Sequence, residues 1–163
     1  MPPAPVPVAE VDGAVENMFG RWDVKGFFAD VREWESFSKV EWPKRYAEQL
    51  ALKAVPGGKD PQPIAWDMRT HVYDFTMACE LTLQEIDDRS FGHDGDSRVA
   101  RHVGNARRHP NRWGVSVAKE TRDSPKKIDA AVCVIGARMV RRLYLAGKPE
   151  QKKPRTGKVH GFA

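Results

Sequence analysis

Apolar residues recur at helical spacing in three long stretches of the chain. Val11, Val15, Met18, Phe19 and Trp22 share one side of a helix predicted over about residues 8–22, weakened slightly by Gly13. Val72, Phe75, Cys79, Leu83 and Ile86 form the buried stripe of a second helix over about residues 70–89. Ile128, Ala131, Val132, Ile135, Met139 and Leu143 define a third, which runs to about Gly147 and is expected to open with Ser124 as N-cap and Pro125 in its first turn.

Shorter patterns lie between them. "DVKGFFAD", residues 23–30, is an apolar run ending on a carboxylate, the pattern of a buried strand that delivers Asp30 to its C-terminal end. "IAWDM", residues 64–68, reads as the next strand, and "WGVSVAKE" alternates Val115 and Val117 with polar neighbours as a half-exposed strand. Residues 31–54 look helical at both ends, with Pro43 expected to break or start a helix, and "VPGGKDPQP" reads as a loop.

The resulting order, helix, strand, helix, strand, helix, helix, strand, helix, predicts a layered α/β domain with a mainly parallel sheet. Three strands make a small sheet, and its missing members lie outside the chain or come from a partner. The expected organisation is an extended proline-rich lead-in over residues 1–7, one compact domain over 8–147, and a polar, basic, disordered tail over 148–163.

Composition sharpens this. At 163 residues, with 40% apolar and 30% charged residues, the chain suffices for one hydrophobic core. The absence of a 20-residue apolar run or a signal-peptide layout leads to the expectation of a soluble, intracellular protein. Cys79 and Cys133 sit in apolar-periodic segments and are read as buried thiols rather than a disulfide, which excludes a cysteine-based zinc site. The net charge of +5 conceals a polarity: residues 1–97 carry 10 Lys and Arg against 18 Asp and Glu, whereas residues 98–163 carry 17 against 4. Such a basic half fits a polyanionic partner or, equally, a solvated surface with a basic tail.

Chemistry-bearing candidates are few. Asp30, at a strand end, stands where open α/β sheets place ligands and metals; it could also simply close the strand and cap the next helix. Asp129 lies in the second turn of the last helix, where the macrodipole favours a carboxylate in any case. In "GHDGDSRVARHVGNARRHP", residues 92–110, Asp96 is expected to cap a helix over Ser97–His109. Arg98, Arg101, Asn105 and Arg108 then fall on one arc, and Val99, Val103 and Ala106 on another. The first arc, extended by Arg107, His109 and Arg112, is either a phosphate-contacting face or a solvated one. "HDGD" reads as a turn and cap before it reads as a metal-ligand set. The chain has no GxxxxGK[ST], GxSxG, HExxH or CxxC motif, and His71, His93, His102, His109 and His160 lack ligand spacing.

The string "TLQEIDDRSFGHDGDSRVARHVGNARRHPNRWGVSVAKETRDSPKKIDAAVCVIGARMV" resembles the C-terminal part of the nuclease domain in large terminase subunits of tailed phages, particularly those of actinobacterial hosts. The shared pattern is a helix leading into "HDGD", a histidine-containing helix with Asn-Ala-Arg, a strand ending in Lys, and a Ser-Pro-x-Lys-Ile-Asp-x-Ala-Val helix. Upstream, "AEVDGAVENMF…DVKGFFADVREWES" is similar to the family's preceding helix and strand, so that the resemblance covers about residues 8–146.

The resemblance implies a ribonuclease H-like α/β fold with a mainly parallel central sheet flanked by helices, its N-terminal strands missing. It implies a metal-dependent DNA endonuclease that cuts concatemeric viral DNA with two Mg²⁺ or Mn²⁺ ions held by Asp and Glu oxygens. By position it assigns catalytic and metal-binding roles to Asp30 and Asp129. Asp94 and Asp96 are outside candidates for a further carboxylate. Arg98, Arg101, Arg108, Arg112, Lys119, Lys126 and Lys127 are the expected DNA-binding residues. The implied partners are double-stranded DNA and, in the complete protein, an ATPase domain, the small terminase subunit and the portal. The implied location is the host cytoplasm at the procapsid portal. The family's first metal-binding Asp and its ATPase motor have no counterpart in this sequence, and Val31-Arg32 stand where the family often has two prolines. The isolated chain is therefore expected to have weak nuclease activity or none. The alternative is a noncatalytic DNA-binding or assembly module derived from that domain.

Overall fold

A computed structural model describes residues 7–147. Residues 1–6 of the predicted lead-in over 1–7, and the tail over 148–163, lie outside the described residues. Five α-helices and one hairpin carry the fold: α1 (Val8–Arg21), α2 (Trp42–Tyr46), α3 (Val72–Asp87), α4 (Ser97–Asn105), β1 (Arg107–Asn111), β2 (Gly114–Ala118) and α5 (Asp129–Ala146).

The expected ribonuclease H-like sheet is not formed. Among the described residues the one sheet is two-stranded and antiparallel, β1 with β2, in the register Arg107 opposite Ala118 through Asn111 opposite Gly114. The two segments read as parallel strands do run side by side, but only through one isolated bridge at Ala29–Ala65; Gly26 makes a separate isolated parallel bridge to Leu52. Ala29 donates its N–H to the Ile64 carbonyl at 2.9 Å, and Trp66 donates back to the Ala29 carbonyl at 2.9 Å. The run over residues 23–30 is extended chain but half-buried at residues 24–29 and exposed at Asp23 and Asp30, so the expected buried strand is not formed, and the ladder that would make it a sheet does not propagate. A single bridge leaves most backbone groups to other partners, so burial of side chains rather than strand pairing holds this segment.

That segment separates two apolar clusters. On one side Phe19, Trp42, Tyr46, Leu50 and Ile64 pack with Phe27 and Ala29; on the other Trp66, Phe75, Ala78, Cys79, Ile135 and Met139 pack with Phe28. The alternation of Phe27, Phe28 and Ala29 follows from the twofold period of extended chain. In the first cluster Phe19 stacks on Tyr46 with ring centroids 4.0 Å apart. The Trp42 indole N–H donates to Asp12 Oδ1 at 2.8 Å, and Arg45 pairs with the same carboxylate, which fastens α2 to α1. Gly26 is required by close approach: a Cβ there would lie 2.7 Å from a Val140 methyl.

Pro43 stands in the first turn of α2, so of the two expectations it starts a helix and does not break the helical run. A π-helical turn over Phe37–Glu41 precedes it, and the Trp42 N–H reaches the Phe37 carbonyl five residues back. The wider turn admits a proline into a continuous helical run without the usual loss of one ladder bond. In α3 the buried residues are Phe75, Thr76, Ala78, Cys79 and Thr82, whereas Val72, Leu83 and Ile86 of the expected stripe are exposed. The stripe is sound in its middle, and its two ends project past the neighbours available to cover them. Cys79 is buried as expected, but Cys133 is exposed, and both thiols are free.

The α3–α5 contact is closed by a charged clasp. Glu85 accepts from Arg138 Nε at 2.6 Å and from Arg142 Nη1 at 2.9 Å, while Arg142 Nη2 also reaches the Ala78 carbonyl at 3.3 Å. All three side chains are mostly buried. The Arg138 guanidinium, followed by that of Arg142, holds the Glu85 carboxyl below its ordinary 4.5.

Candidate nucleic-acid interface

The segment from Phe91 to Ile128 builds a basic surface in three pieces: a capped turn with α4, the β1–β2 hairpin, and the loop leading into α5. The turn forms because Gly95 takes φ +81°, a conformation glycine adopts freely. Asp94 Oδ1 accepts the Asp96 N–H at 3.0 Å, and His93 Nδ1 accepts the Gly95 N–H at 3.0 Å. Asp96 then caps α4 by accepting the Arg98 N–H at 2.7 Å. Its carboxylate also takes the Arg98 guanidinium, with Nη2 to Oδ2 at 2.6 Å, and that pairing pushes its pKa well below the usual range. Both aspartates are thus engaged in local turn and cap chemistry.

The helix ends at Asn105, four residues short of the expected His109, and Arg107–Asn111 turn into β1. The predicted arc of Arg98, Arg101, Asn105 and Arg108 therefore does not exist as one helical face. Asn105 instead faces α5, its Nδ2 donating to the Lys127 carbonyl at 2.9 Å. His102 joins it: its Nδ1 accepts the Ala130 N–H at 2.9 Å, satisfying a donor at the start of α5 that Ile128, the residue at the cap position, has no side-chain acceptor for. Val103, expected on the packed arc, is exposed, and α4 has no buried residue. Two hydrogen bonds, from Asn105 and to His102, fasten this helix to the start of α5.

The hairpin is held against α3. Asn111 Nδ2 donates to the hydroxyl of Thr76, a fully buried residue, at 3.0 Å, and Asn111 Oδ1 accepts the Trp113 N–H at 2.8 Å. The Val115 N–H donates to Glu80 Oε1 at 3.0 Å. Gly114 adopts φ +142°, and a Cβ there would lie 2.1 Å from that same Glu80 oxygen. The strand at Val115–Val117 follows from its alternation, but its partner β1 does not, because helical spacing carries residues 97–109 into one helix. The available signal was Asn111 and Gly114 bracketing two residues ahead of the alternating Val115-Ser116-Val117.

The expected DNA-contacting residues fall on this surface with unequal freedom. Arg98 is folded onto Asp96, and Lys126 pairs with Glu120 at 3.4 Å. Arg101 projects from α4, Arg108 from β1, Arg112 from the hairpin turn, and Lys119 and Lys127 from the loop, and none of these five forms an ion pair among the described residues. Arg107 braces the end of α4, donating to the Gly104 carbonyl at 2.9 Å. From Ser97 to Ile128 there are nine Lys and Arg against two acids.

The two carboxylates assigned to metal lie elsewhere in the contact network. Asp30 is exposed, accepts the Met68 N–H at 3.3 Å, and lies within electrostatic range of Arg69, which is itself paired with Asp67. Arg69 pulls Asp67 down to about 2. Asp129 is exposed and is the first residue of α5, not part of its second turn, because Ser124 caps only a local turn through the Lys126 N–H at 3.2 Å. No hydrogen bond joins Asp30 to Asp129, and no group of three metal-ligating side chains occurs among the described residues. Their oxygens suit Mg²⁺ or Mn²⁺ by type, yet two exposed carboxylates, one of them engaged by a backbone N–H, do not by themselves compose a two-ion centre.

Comparison with known proteins gives a phage context. Over 155 residues the chain is 39% identical to the protein called Gene 13 protein of Mycobacterium phage D29, covering 94% of this chain and 24% of that protein. It is 37% identical to the Gene 13 protein of Mycobacterium phage L5, covering 94% of this chain and 25% of that one. The chain spans about a quarter of the length of these curated relatives. Its relatives are thus bacteriophage proteins, as the sequence suggested, and neither name states an activity. No family model matches the chain, and no solved structure matches it. No described helix is long and apolar enough to cross a membrane.

Proposed function

We propose that the chain is a segment of a phage DNA-packaging terminase large subunit, belonging to its nuclease part and holding double-stranded DNA for metal-dependent cleavage. The observation that carries this reading is the cationic surface of α4, the hairpin and the following loop: of nine Lys and Arg, Arg98 and Lys126 alone are paired with carboxylates among the described residues. Unpaired guanidinium and ammonium groups beside one another are what phosphate contacts require. The phage relatives, about four times longer than this chain, and the terminase-like string support the same reading. In the longer protein Asp30 and Asp129 would be two of the carboxylates for Mg²⁺ or Mn²⁺. The small terminase subunit and the portal would be its partners, and the host cytoplasm at the procapsid its place of work.

The second reading is a DNA-binding module without chemistry of its own, which would use the same cationic surface and need no metal. Plasmid incubation with Mn²⁺ separates the two. The isolated chain is expected to bind duplex DNA with salt-sensitive affinity and to nick it weakly or not at all. Nicking lost in both Asp30→Ala and Asp129→Ala supports the metal roles. Robust nicking that persists in both variants overturns them.

A further inference from the structure

We infer that Arg112 and Trp113 at the hairpin tip, together with Tyr73 at the start of α3, form a stacking platform for an unpaired base of single-stranded DNA. This inference rests on the reading that the basic surface contacts DNA. Trp113 is 42% exposed and Tyr73 52% exposed, and the two rings meet edge to face with centroids 5.4 Å apart. The Arg112 guanidinium lies 4.3 Å from the Trp113 ring centroid. Two half-exposed aromatic rings would ordinarily be a liability on a surface, yet this pair is held in place rather than left loose. Trp113 is positioned through its own N–H on Asn111, Asn111 is anchored on the buried Thr76, and Glu80 fixes the strand that follows Gly114.

The surroundings select the occupant. An apolar protein partner would be served by an uncharged rim, but this tip ends a hairpin whose neighbours include Arg107, Arg108 and His109, within a stretch of nine cations and two acids. Two carboxylates lie near the platform: Glu80 beside the turn, its Oε1 already taken by the Val115 N–H, and Asp74 next to Tyr73 in sequence. A flat π surface with an arginine stacked on it and cations alongside matches a base and its flanking phosphates, the arrangement on which single strands are held with little regard to sequence. Duplex DNA hides its base faces and can use only the cations.

The test compares a fluorescent oligothymidylate of twelve residues with a duplex of the same length, by anisotropy on the full chain. Trp113→Ala is expected to weaken the single strand about tenfold while changing duplex affinity by less than about twofold. Trp113→Phe should retain most of the single-strand affinity, and Arg101→Ala should weaken both ligands. Equal losses on both DNAs, or no loss on the single strand, overturn the platform without touching duplex binding by the basic surface. In the unaltered chain, an oligomer carrying 5-bromodeoxyuridine is expected to photocrosslink at Trp113 or Tyr73, and crosslinks confined to other residues overturn the assignment. A variant that loses self-association while keeping single-strand affinity would mark the tip as a protein contact and equally overturn it.

Discussion

Gly114 and Glu85 show how much single residues decide. At Gly114 both the backbone, with φ +142°, and the space, with the Glu80 carboxylate where a Cβ would stand, exclude a side chain. Gly114→Ala is expected to destabilise the chain by about 1–3 kcal/mol and to loosen the hairpin, read as a lower thermal midpoint and faster amide exchange over residues 107–118. Glu85 is the shared acceptor for two arginines, and Glu85→Ala leaves both without their carboxylate, at a cost of about 1–3 kcal/mol. Because its carboxyl is held below the ordinary 4.5, the folded state binds this proton less readily than the unfolded chain. Its contribution is therefore fully present above that value and disappears as pH falls through the lower folded pKa. Chemical denaturation at pH 7 and pH 3 should show the unaltered chain losing more stability on acidification than Glu85→Gln, which has no proton to gain.

At the level of elements, α4 is the informative case. The cap at Asp96 was legible because an Asp before a polar helical start accepts a nearby backbone N–H. The length and facing of the helix were not. Of its apolar arc Val99 and Ala106 are half-buried and Val103 is exposed, and His102 and Asn105 also dock it, through backbone groups of Ala130 and Lys127 at the start of α5. No periodicity rule identifies polar residues whose partners are backbone groups on another element. The same two contacts yield a prediction. A double change of His102→Ala and Asn105→Ala should undock α4 and unsatisfy the Ala130 N–H, raising amide exchange across residues 97–105 and 129–132 while the α1–α2 cluster stays protected. Unchanged exchange in α4 would show that other contacts seat it.

Across the whole molecule, the charge polarity visible in the sequence becomes a localised surface. The structure removes Arg138 and Arg142 from it by pairing them with Glu85, and folds Arg98 onto Asp96. Arg101 and Arg108, expected on one helix face, sit on different elements but both stay unpaired among the described residues. If each meets a phosphate, Arg101→Ala or Arg108→Ala should lower the slope of log affinity for duplex DNA against log salt by about one, and uniformly across sequences. Arg138→Ala should instead lower stability and leave the salt slope unchanged.

Hydrophobic periodicity by itself determined the existence of α1, α3 and α5 and the strand that begins at Gly114, since each depends on local spacing and on apolar surface leaving water. Local turn chemistry likewise determined the cap at Asp96. Only the tertiary structure decided that the apolar runs around Ala29 and Ala65 meet through one bridge instead of a sheet, because strand pairing depends on what else covers the segment. It also decided that the arginine-rich stretch splits into helix and hairpin. Thr76 and Glu80, more than 25 residues upstream, supply the partners that make a turn at Asn111–Gly114 more favourable than another turn of helix.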